Sequence, residues 1–142
     1  VSTQVRYGKK VYSPIIGNGS ADLLVSFEEM EAARYLKQLK PGGKIVVNTL
    51  RIPPMPVLSG KKKYPQTIME ELKKKAAVLP LNATQIATQL GNPKSANIVL
   101  LGALVKALDL TDIDWKEIIV RTVKPQFAEI NLKAFEVGMA AV

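Results

Sequence analysis

The sequence predicts an α/β fold, a three-layer α/β/α domain with a mixed, mainly parallel sheet and a leading β-hairpin. Short apolar runs such as Ala21–Val25 and Lys44–Val47 are typical of strands that are buried on both faces. Segments with helical spacing of apolar residues separate these runs. Strands that alternate with helices pair in parallel, because each helix carries the chain back to the same end of the sheet.

The start of the chain has a different pattern, in which apolar and polar residues alternate. Val1–Tyr7 and Val11–Ile16 are both typical of strands, and a glycine with two lysines separates them as a turn would. The two segments therefore predict a β-hairpin. Since hairpin strands are antiparallel, the sheet is predicted to be mixed.

The first buried strand leads directly into a helix. Ser26 and Glu29 have the spacing of a capping box, which predicts that the helix begins there. Lys40–Gly43, with its Pro-Gly-Gly, is expected to end that helix before the next strand. Beyond that strand, Arg51–Gly60 holds three prolines, too closely spaced for a helix or a central strand, and predicts a stiff extended loop.

Caps and turn residues divide the rest of the chain into one strand and several helices. Thr67 and Glu70 form a second predicted capping box, which begins a helix that ends at about Lys75. A strand is predicted over Ala76–Leu81. Four helices follow, between Asn82 and Gly91, from Asn92 to about Asp109, from Asp114 to about Val123, and from about Phe127 to Val137. No internal repeat interrupts this order, so residues 1–142 are predicted to form a single domain.

One predicted helix, Pro93–Leu108, has no polar face. Ile98–Val105 is apolar all round, a pattern typical of helices that are buried on several sides. We expect this helix at the centre of the domain, with part of its surface covered by a partner protein, because one small sheet cannot cover it all. Asn97 is polar in this setting, and we expect it to be buried with a hydrogen-bond partner.

Composition excludes several classes of function. The 142 residues include no Cys and no His, so the usual ligands of zinc, haem and iron–sulfur clusters are missing. The Cys and His of nucleophilic dyads and triads are missing too, so no metal site is predicted, and only Asp, Glu, Lys, Tyr and backbone groups remain for acid–base chemistry. The longest apolar run, Ile98–Val105, is far shorter than the ~20 residues of a membrane span. No leader sequence stands at Val1, so we expect the protein in the cytoplasm.

The chain is basic, with a formal net charge of +8. Its lysine clusters are Lys61–Lys63 and Lys73–Lys75, and neither is interleaved with the aromatic residues that stack on bases. Nucleic acid is therefore not a predicted partner. The clusters are interpreted as solvated surface, with an acidic protein or a phosphate-bearing ligand as the alternative.

Two short motifs bear on enzymatic activity. Leu39–Gly43 is similar to the turn before a late strand of Rossmann-type methyltransferases. The glycine-rich loop that holds the cofactor in such enzymes has no counterpart in this sequence, so a helix stop is the better explanation. Gly17–Gly19 also lacks a strand–loop–helix setting and is interpreted as a turn.

Polar residues follow each predicted parallel strand. Ser26 follows the first, Asn48 and Thr49 the second, and Asn82 and Thr84 the third. Ligands of open α/β sheets bind beyond the carboxyl ends of the strands, which makes this edge the candidate site. Helix caps and turns use the same residue types, so structural roles explain most of these side chains.

Several longer segments, taken in order, resemble one family. They are VSTQVRYGKKVYSPII, ADLLVSFEEMEAARYLKQLKPGGKIVVNT, RIPPMPV, GNPKSANIVLLGALVKAL and EINLKAFEVG. They are similar to the γ subunits and γ domains of 2-oxoacid:ferredoxin oxidoreductases, most of all to the small subunits of the indolepyruvate enzymes. Members of that family carry a strand, a glycine-rich turn and a helix ahead of the part that corresponds to Val1–Gly8, and this sequence shows none of these.

The resemblance implies a Rossmann-like γ domain in an enzyme of oxidative decarboxylation. In that family thiamine diphosphate attacks a 2-oxoacid, carbon dioxide leaves, electrons pass through iron–sulfur clusters to ferredoxin, and coenzyme A takes up the acyl group. The thiamine and cluster sites belong to other subunits or domains, and none of the family's catalytic residues maps onto this chain. This chain is therefore expected to bind no cofactor alone, to pack on those subunits, and to meet coenzyme A, the 2-oxoacid and ferredoxin only through the complex.

Arg51 and Lys61–Lys63 are the candidate binding residues within this hypothesis. They follow the strand Lys44–Val47, and we expect them to steer the phosphates of coenzyme A toward the assembled enzyme. Two other functions remain open: a stand-alone nucleotide-using enzyme such as a methyltransferase-like transferase, and a plain protein-interaction module. Tight binding of S-adenosylmethionine by the isolated chain would favour the first of these two.

Overall fold

A three-stranded parallel sheet forms the centre of the protein. In the computed structural model, which describes residues 1–142, the strands are β1 (Ala21–Ser26), β2 (Leu39–Asn48) and β3 (Ala77–Leu81). Their order in the sheet is β1-β2-β3, and both neighbouring pairs are parallel. β2 is thus the central strand, while β3 is an edge strand that carries an exposed proline, Pro80.

Seven α-helices accompany the sheet. They are α1 (Glu29–Tyr35), α2 (Met55–Leu58), α3 (Ile68–Lys75), α4 (Ala83–Gln89), α5 (Ala96–Ala107), α6 (Trp115–Thr122) and α7 (Ala128–Ala140). Short 3₁₀ segments follow α1 and precede α5 and α7. None of the helices combines the length and the hydrophobicity that a bilayer crossing requires.

Successive residues of β2 divide the core into two halves. Ile45 and Val47 are fully buried and pack with α1 and α3 on one face of the sheet. Val46 is equally buried and packs with α4, α5 and α7 on the other face. Side chains alternate across a strand, which makes this division possible. Helices on both faces of the sheet confirm the predicted α/β fold in three layers.

α5 is covered by other helices of the same chain. One side packs on the sheet and α4, and on the other side Val105 clusters with Ile119 of α6 and Phe135 of α7. Most of the apolar surface of α5 is therefore covered within the chain, and cover of the rest by a partner protein stays a prediction. Sequence periodicity showed that α5 is buried, but it could not show that α7 returns to lie against it.

Two glycines let α5 and α7 approach at the level of their backbones. A Cβ atom on Gly102 would lie 2.2 Å from the carbonyl oxygen of Phe135, and one on Gly138 would lie 2.0 Å from the carbonyl oxygen of Val99. Any side chain at either position would collide with the facing helix. The two glycines therefore set the distance between α5 and α7.

Residues 1–20 contain no strand, so the predicted leading β-hairpin is wrong, and the sheet is purely parallel instead of mixed. The two arms lie together, but side chains bridge them. Gln4 Oε1 accepts a hydrogen bond from the backbone N–H of Ile16 (2.6 Å), and Arg6 donates to two carbonyls of the second arm (3.1 Å each). A two-stranded ladder with both faces in water buries too little apolar surface to be stable.

The first two predicted capping boxes do not form. α1 is capped by Glu28, whose side chain accepts from the N–H of Glu31 (3.0 Å). Ser26 lies two residues before that cap, where its hydroxyl donates to the Glu28 carbonyl (2.6 Å) and accepts from the Glu28 N–H (3.5 Å). Thr67 precedes α3, but its side chain makes no capping hydrogen bond. The three later caps are confirmed, since Asn82, Asn92 and Asp114 each accept from a backbone N–H in the following turn.

Two proline-containing segments also differ from prediction. The Pro-Gly-Gly of Lys40–Gly43 lies within β2, which begins at Leu39, and a register shift against β1 accommodates it. The Pro-rich segment Arg51–Gly60 is not wholly extended, because it contains α2. Pro54 occupies the N-cap position of this short helix without a side-chain capping bond, and Pro56 lies in the first turn, where proline needs no N–H partner and is tolerated.

Candidate functional site at the carboxyl edge of the sheet

The carboxyl ends of the three strands meet at one edge, where the sequence predicts that ligands bind. Asn48 ends the central strand and is 2% exposed. Its Nδ2 donates to the carbonyl oxygen of Phe27, just after β1 (3.1 Å), and to Oγ1 of Thr84 in α4 (2.9 Å). One amide group therefore joins the segments that follow all three strands.

Most of the predicted polar residues at this edge have structural roles. The hydroxyl of Ser26 donates to the backbone carbonyl of Glu28, and Asn82 caps α4. The backbone N–H of Thr49 donates to the carbonyl of Leu81, the last residue of β3 (3.0 Å). Asn48 differs in one respect, because its Oδ1 is buried without a hydrogen-bond partner. Unpaired buried acceptors are uncommon in folded proteins.

Asn97 does not have the buried partner that the sequence predicts. The residue is exposed, and it lines a cleft of about 430 Å³ between the N-terminal segment and α5, together with Leu101 and Leu104. α5 begins at Ala96, so Asn97 lies in its first turn, outside the part that the sheet and α7 cover. The prediction treated the helix as uniformly buried along its length.

Two adjacent carboxylates lie at the same edge, at the start of α1. Glu28 and Glu29 are 6% and 4% exposed. Oε1 of Glu28 accepts from the Tyr64 hydroxyl (2.5 Å) and from the backbone N–H of Ile52 (3.2 Å). Oε2 of Glu29 accepts from Nε of Arg51 (2.7 Å). Burying carboxylates is costly unless they are paired, and here the partners beyond α1 all come from the segment after β2.

These carboxylates change the chemistry of Tyr64. Burial, then the hydrogen bond to Glu28 and the negative charges of Glu28 and Glu29, raise the pKa of this phenol far above its ordinary value, and Arg51 only partly opposes them. The Arg51 guanidinium lies over the Tyr64 ring, 5.7 Å from its centre, and also donates to Gln66 (2.9 Å). We call Glu28, Glu29, Arg51 and Tyr64 the carboxylate clamp.

The carboxylate clamp holds both ends of the loop formed by residues 52–63 and leaves its middle in solvent. Ile52, Met55 and Leu58 are 59%, 73% and 66% exposed, and Phe27, next to Glu28 in the chain, is 55% exposed. We call these four exposed residues the apolar platform. Large apolar side chains grouped on a surface mark a place of contact with another molecule.

The structure separates the four residues that were predicted to steer coenzyme A. Arg51 is part of the carboxylate clamp, whereas Lys61–Lys63 are exposed and take part in none of the seven salt bridges of the chain. The backbone N–H of Lys62 donates to the carbonyl of Pro56 (2.9 Å), which folds the lysines back toward α2. All four residues thus lie between β2 and α3, but only the lysines present unpaired charges.

Sequence reasoning missed the carboxylate clamp. The charges of Glu28 and Glu29 are favourable at the start of any helix, and this local explanation gave no reason to look for distant partners. A positional signal was available, because Glu29 follows β1 and Arg51 follows β2. The ends of neighbouring parallel strands must lie close together, so opposite charges placed there are candidates for a pair.

The edge does not fit a metal cluster. Iron–sulfur clusters are held by Cys thiolates, and the chain has no Cys. The structure also brings together no group of acidic side chains that could hold a metal ion. The groups that the structure places at this edge are hydrogen-bonding amides, paired charges and exposed apolar side chains.

Known proteins are similar to this chain in sequence and in fold. The family described as pyruvate ferredoxin/flavodoxin oxidoreductase matches residues 1–141. The indolepyruvate oxidoreductase subunit IorB of Pyrococcus horikoshii is 36% identical, with 99% of this chain and 73% of that protein covered. The subunit of the same name from Thermococcus kodakarensis has the same identity and coverage. That from Archaeoglobus fulgidus is 36% identical, over 97% of this chain and 71% of its own.

Two solved structures resemble the fold. The gamma subunit of a keto/oxoacid ferredoxin oxidoreductase from Geobacter sulfurreducens has a TM-score of 0.63 at 24% identity, covering 89% of this chain and 67% of that chain. A 2-oxoglutarate:ferredoxin oxidoreductase from Magnetococcus marinus, with 2-oxoglutarate, coenzyme A and succinyl-CoA bound, has a TM-score of 0.60 at 20% identity, covering 94% of this chain and 21% of that chain. The resemblance seen in the sequence is confirmed, and the chain belongs to the pyruvate ferredoxin/flavodoxin oxidoreductase family.

Proposed function

We propose that this chain is the γ-type subunit of a 2-oxoacid:ferredoxin oxidoreductase whose catalytic residues lie on other chains. The family match over residues 1–141, with 36% identity to subunits named for indolepyruvate oxidation, carries the proposal. The reaction is the oxidative decarboxylation of a 2-oxoacid such as indolepyruvate to acyl-CoA and carbon dioxide, with reduction of ferredoxin. Membership of this family does not favour the methyltransferase-like alternative.

The chain's own part in this enzyme is structural. With no Cys and no His, it supplies neither cluster ligands nor an imidazole base. Thiamine diphosphate and the iron–sulfur clusters, bound by the other subunits, supply the redox and decarboxylation chemistry. This chain packs on the thiamine-binding subunit in the cytoplasm, and the choice of 2-oxoacid is made outside it.

Co-expression with the larger subunit of the same enzyme tests the proposal. The purified complex should contain thiamine diphosphate, iron and sulfide, and should reduce ferredoxin when indolepyruvate and coenzyme A are supplied. The isolated chain should contain none of these cofactors. Stoichiometric iron and sulfide in the isolated chain would contradict the proposal, as would tight binding of S-adenosylmethionine or a failure to bind the larger subunit.

We also propose that Lys61–Lys63, with Arg51, steer coenzyme A within the assembled enzyme. The three lysines are exposed and unpaired, and coenzyme A carries several phosphate charges that such a cluster attracts. Arg51 is already paired with Glu29 and contributes by holding the loop in place. The bound coenzyme A of the Magnetococcus marinus enzyme supports the choice of ligand, although the likeness to that structure is one of fold.

Removal of the lysine charges in the complex tests this second proposal. The variant Lys61→Gln/Lys62→Gln/Lys63→Gln should raise the apparent KM for coenzyme A about threefold at low ionic strength and less at high, because salt screens exposed charges. The KM for the 2-oxoacid should not change. The matched control neutralises Lys73–Lys75, the exposed cluster on α3, in the same way. An unchanged KM for coenzyme A at low salt would leave the lysines as ordinary solvated charges.

A further inference from the structure

We infer that the apolar platform is the surface through which this chain docks on the larger, thiamine-binding subunit. The inference rests on the proposed function, since it assumes that such a subunit is the partner. It adds the location of the contact on this chain and the device that keeps the contact surface in place. Neither follows from membership of the family.

Three of the four residues of the apolar platform lie in the loop, and Phe27 is next in sequence to Glu28, which holds that loop. Met55 and Leu58 are three positions apart in α2, so they lie on the same side of that helix. Ile52 reaches the other end of the group, because its backbone N–H lies 3.2 Å from the Glu28 carboxylate, and Phe27 is the residue before Glu28. The platform therefore spans the loop and the start of α1.

The loop that carries the platform is held in one conformation before any partner binds. Glu28 takes a hydrogen bond from each end of it, at Ile52 and at Tyr64, and Glu29 pairs with Arg51. In the middle, the N–H of Ser59 donates to the Met55 carbonyl (2.8 Å). Ordering a loop on binding costs free energy, and a loop that is already ordered avoids that cost. Two buried carboxylates that fix an exposed apolar loop are thus accounted for by a docking role.

The exposed area of the platform fits a subunit contact. From the fractional exposures of its four side chains, it presents roughly 450 Å² of surface, against about 800 Å² that each partner contributes to a standard interface. Slightly more than half of such an interface is apolar. The exposed area of the platform is therefore about as large as the apolar part of one partner's side of a standard interface, and the polar loop residues around it supply a rim.

A different subunit fits this surface better than a second copy of the chain. A symmetric dimer through the platform would place Lys61–Lys63 of both copies beside one interface, and like charges gathered at an interface are unfavourable. The net charge of +8 adds to this repulsion. In the Magnetococcus marinus enzyme the same fold makes up about a fifth of a longer chain, so there it packs within a larger assembly.

The test measures the affinity of the chain for the larger subunit by titration calorimetry or sedimentation. Met55→Glu/Leu58→Glu should weaken binding at least tenfold, because two charges would be buried in the contact. The matched control, Ile118→Glu/Val120→Glu, places the same charges on α6, where both side chains are also exposed, and should bind normally. Circular dichroism of each isolated variant confirms that it folds.

A variant of the carboxylate clamp tests whether holding the loop in place contributes to binding, separately from the contacts made by the platform itself. Glu28→Gln should weaken binding about threefold or more without touching the platform, because one acceptor of the loop is replaced by an amide. Normal binding by Met55→Glu/Leu58→Glu, in a sample whose wild-type complex forms, would overturn the docking surface alone. A wild-type chain that does not bind the larger subunit would overturn the proposed function first, so the two failures are distinguishable.

Discussion

The contact between α5 and α7 gives the sharpest test of the fold. Gly102→Ala adds one methyl group at the crossing of the two helices. Its Cβ would meet the Phe135 carbonyl oxygen at 2.2 Å and the Met139 backbone nitrogen at 2.8 Å. These are backbone atoms in the middle of α7, so no side-chain rotation can relieve the collision, and the helices must move apart.

The magnitude follows from that displacement. Non-bonded carbon atoms are most stable at about 3.5–4.0 Å, so α7 would have to shift by roughly 1 Å, enough to lose a quarter to a half of each contact that opens. Overpacking of this kind typically costs about 1–3 kcal/mol, and a rigid obstacle points to the upper end. Alanine returns about 1 kcal/mol through its higher helix propensity. The free energy of unfolding should therefore fall by about 2 kcal/mol.

Urea unfolding of the purified chain, followed by circular dichroism, measures this loss. The slope of the transition should stay the same while its midpoint moves to a lower urea concentration. Gly17→Ala is the matched control, because a Cβ there meets nothing closer than the Ser20 hydroxyl at 3.9 Å. If Gly102→Ala is as stable as the wild type, α5 and α7 do not approach as described.

Three further results are expected. Absorbance of tyrosinate should show a late-ionising phenol that is absent in Tyr64→Phe. Because Tyr64 has its ordinary pKa of 10.0 only in the unfolded state, the free energy of unfolding should fall above that pH, and it should fall less in the variant. An early titration of all tyrosines would contradict the carboxylate clamp. Glu28→Gln should cost about 2 kcal/mol in urea unfolding and speed hydrogen exchange at Ile52, and unchanged exchange there would count against the clamp. Asp114→Ala should cost about 1 kcal/mol by loss of the α6 cap, and an equal midpoint would show the cap to be unimportant.

The order of strands and helices could be predicted because its signals are local. Buried parallel strands such as β1 and β3 are short apolar runs, and caps such as Asn82 mark the helices between them. The N-terminal arms misled because alternation of apolar and polar residues indicates a strand only where one face has something to cover. Neither face of Val1–Tyr7 is buried, and its apolar side chains stay exposed.

The candidate site was predictable in position but not in composition. The rule that ligands bind beyond the carboxyl ends of parallel strands directed attention to this edge, and Asn48 and Thr84 do meet there. The pairing of Glu29 with Arg51 depends on a contact between residues that are far apart in sequence. Local patterns contain no distances of that kind, so the sequence did not predict that Arg51 pairs with Glu29, and its role toward coenzyme A stays a prediction.

Pro80 makes the two edges of the sheet unequal. A proline in an edge strand has no N–H to offer, and it is tolerated only where that missing donor faces away from the sheet. The free edge of β3 therefore lacks one of the donors that an added strand would need, while β1 at the opposite edge contains no proline. Extension of this sheet, whether by a strand of another protein or by misassembly of chains during folding, is directed to the β1 side.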